Sequence, residues 1–148
     1  MITTHQCSNG LAVVVEEIAH VQSASYSLHI PGGILYDRED AVGESHILAE
    51  LTSRGAQDLD SHALSDAFDE LGIRHSESAA HNRYVYRGSL LSEHLQRALE
   101  LVSYMVLHPT LPEEEIESIQ NLYLQDIYSL RDNPGRWAMT ELNERYYP

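Results

Sequence analysis

The sequence predicts an α+β domain, a largely antiparallel sheet with helices packed on one side, in the order ββααββααα. Three observations carry this. Segments with a residue period of two come in neighbouring pairs, and segments with helical spacing follow each pair in runs. No strand–helix–strand alternation of the parallel-sheet kind occurs. The 148 residues suffice for one domain with a real core, and an apolar share of 43% is that of a folded chain.

The first strand runs from Leu11 to Glu17, after the Asn9-Gly10 turn signal. "SASYSLHI", Ser23 to Ile30, alternates small with larger residues and stops at Pro31-Gly32-Gly33. The two read as adjacent strands with one solvated face. From Ala41 the period lengthens: Val42, Ile47, Leu48, Leu51 and Thr52 have helical spacing, Leu48 and Leu51 mark the buried face, and Gly55 closes the helix. In the next helix Asp60 or Ser61 caps, Leu64, Ala67, Phe68 and Leu71 form the stripe, and Gly72 ends it. "IRHSESAAHNRYVYRGSLL" reads as two short strands, the second being Arg83 to Gly88, with His75 and His81 facing solvent. Three helices follow. The first has Ser92 as cap and His108-Pro109 as stop, the second has Pro112 in its first turn, and the last is "PGRWAMTELNERYY". Tyr123, Tyr128, Tyr146 and Tyr147 are expected to pack these helices, with Trp137 as a core anchor or part of an interface.

Charge excludes several functions. Twenty-three acidic residues face nine basic ones, all arginine, for a net charge of −14. Nucleic acid and anionic membrane both need a basic face, so neither is an expected partner. Cys7 is the only cysteine, which excludes an intrachain disulfide and a Cys-rich zinc site. No stretch approaches the ~20 apolar residues of a membrane span. The first residues show no basic region followed by an apolar run, so no signal peptide is expected, and a cytoplasmic location follows as the expectation.

The segment "GESHILAELTSRGA", Gly43 to Ala56, carries the chemistry. His46 and Glu50 are four apart on one predicted helix, so both side chains leave the same face. An imidazole and a carboxylate so placed can share a zinc ion, although the same spacing also describes an ordinary surface pair.

In this segment the chain resembles the pitrilysin/insulinase family of zinc metallopeptidases, which includes the mitochondrial processing peptidases. The resemblance spans nearly the whole chain. It rests on the ordered set "NGLAVVVEE", "IPGGILYDREDAVGESHILAELTSRGA", "LSDAFDELG" and "YVYRGSLLSEHLQRALELVSYMVLHPTLPEEEIE". The family carries H-x-x-E-H on a helix. Laid against that motif, His46 falls on the first zinc histidine, Ala49 on the general-base glutamate and Glu50 on the second zinc histidine. The family's third ligand, a glutamate on a later helix, corresponds to Asp126 in "YLQDIYSL", and Ile119 stands where a second acidic residue is common.

The resemblance therefore implies a zinc-metallopeptidase-like lobe with a degenerate motif. The metal positions are His46, Glu50 and Asp126, with low occupancy expected. There is no catalytic residue, because Ala49 cannot take a proton from metal-bound water. No cofactor is expected, zinc being possible although the oxygen-rich set suits harder cations better. The competing reading is a divergent metalloendopeptidase using those three ligands, and the blandest is a plain interaction domain. The family usually pairs two such lobes, so residues 1–148 are expected to be one truncated N-terminal lobe. Its expected partners are a second lobe or subunit and a peptide substrate, with homo-oligomers through surface that the rest of the lobe would cover.

Overall fold

Residues 1–146 are described by the structure, a computed structural model. Strands β1 (Ile2–Gln6) and β2 (Ala12–Glu16) form an antiparallel hairpin in the register Ile2↔Glu16 to Gln6↔Ala12. The strand expected over Leu11–Glu17 is thus present, but its partner is β1 and not the strand that follows. The Asn9-Gly10 turn pairs near neighbours at small loop-closure cost, whereas "ITTHQ" of β1 has too few apolar residues to show a period.

The main sheet has the order β3-β7-β6, with β3 at Ser23–Pro31, β6 at Arg74–Ala79 and β7 at Arg83–Leu91. Both pairings are antiparallel, Ser23↔Leu91 to Pro31↔Arg83 and Arg74↔Ser89 to Ala79↔Tyr84. Alternation sorts the residues by face. One face carries Tyr26, Leu28, Tyr86, Leu90 and the half-buried His75, and it receives the helices. These are α1 (Glu44–Leu51), α2 (Ser61–Glu70) and α3 (Leu95–Leu107), whose Leu64, Phe68, Leu101 and Met105 complete the core. Gly88 permits this packing. A Cβ there would collide with the phenol ring of Tyr26, which lies across it.

α2 is capped as expected, Asp60 Oδ1 accepting from Ala63 N at 2.8 Å, and ends before Gly72, whose φ is 62°. Between α1 and α2 the two-residue strands β4 (Gly55–Ala56) and β5 (Leu59–Asp60) pair, too short to leave a pattern in sequence. α4 (Ile116–Ser129) and α5 (Pro134–Tyr146) follow. Among the described residues, no helix is long and apolar enough to cross a membrane.

Four side-chain expectations are corrected. In α1 the buried residues are Ser45, Ala49 and Leu51, while Leu48 is 39% exposed, because the helix presents that edge to solvent. Ser92 opens a 3₁₀ turn and makes no side-chain cap. Trp137 is 41% exposed, and Tyr128 and Tyr146 are mainly exposed, so none anchors a core; Tyr147 lies outside the described residues. His75 is half-buried rather than solvent-facing, because the inner face of β6 places it against α2.

Candidate functional site

The motif helix is held in place from its N-terminal side. Its N-cap residue is Gly43, which has no side chain to satisfy the first amides. Asp37 does this from the preceding loop, its carboxylate accepting from Gly43 N at 2.8 Å, from Ser45 N at 3.1 Å and from the Ser45 hydroxyl. The Ser45 hydroxyl and then those amides hold the Asp37 carboxyl below its usual range. Arg38 adds a clasp, its backbone amide and Nε both donating to Glu44 at 2.9 and 3.0 Å. The loop is steered here by Gly33, at φ 90°, where any side chain would strike the Ala80 carbonyl of the β6–β7 turn.

The four motif positions then diverge. His46 turns toward α4, its ring 5.8 Å from that of Tyr123 at 52°, and the Tyr123 hydroxyl donates to the His46 carbonyl at 3.4 Å. Glu50 accepts from Arg54 Nη2 at 2.6 Å, one helical turn on, with both side chains about 30% exposed or less. Asp126 faces the other way. Both its oxygens accept from Arg136 of α5 at 3.2 Å, and that guanidinium holds its carboxyl below the usual range. Ala49 is 2% exposed and Ile119 wholly buried, so neither position has room for a charged group without desolvating it.

His46, Glu50 and Asp126 are therefore not brought together. Among the described residues, no three His, Cys, Asp or Glu side chains form a group that could hold a metal ion. The donor set does not fit a zinc centre. Two of its three members already carry a guanidinium as counter-charge, and the position next to Glu50 offers no base.

Beneath α1 lies a second polar group that the motif did not announce. His75 stacks on Phe68 at 4.0 Å and 26°, and its Nδ1 is 3.5 Å from Glu77 Oε2. Burial, and then the nearby Glu77 charge, push the Tyr26 phenol up to about 12. Tyr123 is also raised, by burial and then by Glu50 and Glu77. Tyr86 donates to Thr52 Oγ1 at 3.3 Å. A cleft of about 210 Å³ opens between the end of α1 and α2, with Glu50, Arg54, Ser65 and His75 in its wall.

Sequence reasoning missed Arg54 and Asp37. Arg54 had a signal, since an acid four residues ahead of a base on a helix is a favoured pair. Asp37 had none, because it caps from outside the helix it serves.

A family model described as Insulinase (Peptidase family M16) matches residues 12–147. An uncharacterized zinc protease of Rickettsia felis is 28% identical over 126 residues, 85% of this chain and 31% of that protein. The beta subunit of the mitochondrial-processing peptidase of Rattus norvegicus is 25% identical over 84% of this chain and 25% of its own length. Among solved structures, a peptidase M16 inactive domain from Pseudomonas fluorescens superposes with a TM-score of 0.81 at 25% identity, covering 97% of this chain and 35% of that one. Pitrilysin superposes at 0.80 with 20% identity, over 91% of this chain and 14% of its own. The chain spans about a quarter to a third of the length of the curated relatives it matches.

Proposed function

Because the chain belongs to the insulinase family, peptidase family M16, we propose that it is a non-catalytic lobe of that fold. On this reading it pairs with a second lobe or subunit and helps enclose an extended peptide. One observation carries the proposal: alanine stands at the general-base position, and the ligand positions Glu50 and Asp126 are each bound to an arginine. General acid–base catalysis is worth on the order of 10²–10⁴-fold, and Ala49 forfeits it. The name of the Pseudomonas neighbour, an inactive domain, runs in the same direction. Peptide enclosure draws on β6, which is an edge strand of the three-stranded sheet beside α1 and offers unpaired backbone groups to an added strand.

Elemental analysis of purified protein, followed by calorimetric zinc titration of the metal-free form, tests the reading. No binding at micromolar zinc is expected. One zinc per chain that is lost in His46→Ala would overturn the proposal in favour of a divergent peptidase. Titration with unstructured peptides separates peptide enclosure from a plain interaction domain, which would show no binding.

A further inference from the structure

The outer face of the β3-β7-β6 sheet, turned away from α1, α2 and α3, has a composition unlike the rest of the molecule. Two adjacent rows cross all three strands there. In strand order β3-β7-β6, one row is Ser25, Ser89 and Arg74, and the next is Ser27, Arg87 and Ser76. All six residues are exposed. They border a shallow depression of about 590 Å³ on the sheet surface. Arg83 lies further along β7 on the same face. The outward-alternating positions of the three strands include no Asp or Glu, and the one carboxylate of β6, Glu77, points to the helices.

The arginines themselves make the second observation. Arg38, Arg54, Arg97, Arg136 and Arg145 each meet a carboxylate within ion-pairing distance. Among the described residues, Arg74, Arg83, Arg87 and Arg131 do not, although acidic side chains outnumber arginines by 23 to nine. Arg131 stands by itself in the turn after α4, whereas the other three lie together on a sheet face whose outward positions hold no acid, set among hydroxyls that can donate to the same ligand.

We infer that this face is a docking surface for a carboxylate-bearing segment of a partner polypeptide, with Arg74 and Arg87 as its paired anchors and Ser25, Ser27, Ser76 and Ser89 as supporting donors. Guanidinium forks bind carboxylates in a fixed planar geometry, which suits short acidic segments. Screening at physiological salt limits the reach of the net −14 to about 8 Å, so the local composition decides what binds. A polyphosphate backbone is the poorer match, because it would carry its charge far beyond three arginines and over the acidic surface around them. The surface is separate from the motif helix and independent of any metal, and it marks where a partner lobe or subunit would present acid to this chain.

Fluorescence anisotropy with a short fluorescein-labelled peptide of alternating Glu and Ala tests the inference, using the 148-residue chain. Saturable binding that falls as salt is raised is expected, with none for the Gln-for-Glu peptide. Loss of charge-assisted hydrogen bonds from both anchors means that Arg74→Ser with Arg87→Ser weakens binding about ten- to hundredfold. Arg97→Ser with Arg145→Ser, which removes the same charge from paired arginines elsewhere, should leave it unchanged. Both pairs are exposed, and unaltered thermal melting confirms that each variant folds. Absence of binding by the unsubstituted chain, equal loss in both double variants, or tighter binding of a single-stranded oligonucleotide of matched charge would overturn it.

Discussion

Arg54 Nη2 lies 2.6 Å from Glu50 Oε1, so the carboxylate at a ligand position of the family motif already has its cation, supplied one helical turn away on the same chain. A metal ion there would have to displace a guanidinium that is itself only 28% exposed and whose Nε, buried, has no partner.

Arg54→Met should therefore cost stability while keeping most of the apolar stem. A partly buried pair lies between the surface and interior cases, and the expected loss is about 1–2 kcal/mol. Urea unfolding at low and high salt checks it. A variant as stable as the parent would show that the pair contributes nothing.

Ala49→Glu restores the family residue at a position only 2% exposed. Without a metal-bound water to engage it, the carboxylate is desolvated and unpaired, and a loss of about 2 kcal/mol or more is expected in denaturant unfolding. Adding Glu50→His removes the carboxylate that now binds Arg54, and Asp126→Glu lengthens the one that binds Arg136 by a methylene. The triple variant should gain zinc affinity by calorimetry, and no gain would count against the residue-by-residue match to the motif.

Leu51 and Leu48 sit on the same helix but differ in burial, 6% against 39% exposed. Leu51→Ala should destabilise by ~2–5 kcal/mol, and Leu48→Ala by well under half of that. Equal effects in thermal melting would mean that α1 is rotated from the orientation described.

Asp37 ties the N-terminus of α1, and its carboxyl is held below the ordinary 3.8, chiefly by the Ser45 hydroxyl. A carboxyl depressed on folding stabilises the fold fully above the unfolded-state value, and the benefit fades as pH falls through the lower folded value. The stability gap between the parent chain and Asp37→Ala should be constant at neutral pH and shrink only below about pH 4. A gap that persists unchanged well below that range would show that the ionised carboxylate is not what holds the helix.

Much of the fold was legible because burial imposes period. Ser23–Ile30 alternates since one face of β3 meets helices, and Leu64, Phe68 and Leu71 recur since α2 lies on the sheet. β1 was silent because neither face of its hairpin is packed, and a strand without a buried face has nothing to write into its sequence. The motif positions were legible by order along the chain. Their surroundings were not: the Asp126–Arg136 pair joins residues on different helices, and His75 owes its burial to Phe68, so both depend on packing that no local pattern encodes.

The sheet order also governs when this chain can fold. β7 is the central strand, and it pairs with β3 on one side and β6 on the other, so the earliest strand of the main sheet finds its neighbour only in the second half of the chain. Until Arg83–Leu91 has been synthesised, β3 has no hydrogen-bonding partner in that sheet, and the helices between them have no surface to lie on. Contacts of such long sequence separation are slow to close. The hairpin at the N-terminus can form early, but the rate-limiting step of folding should be the arrival of the middle strand.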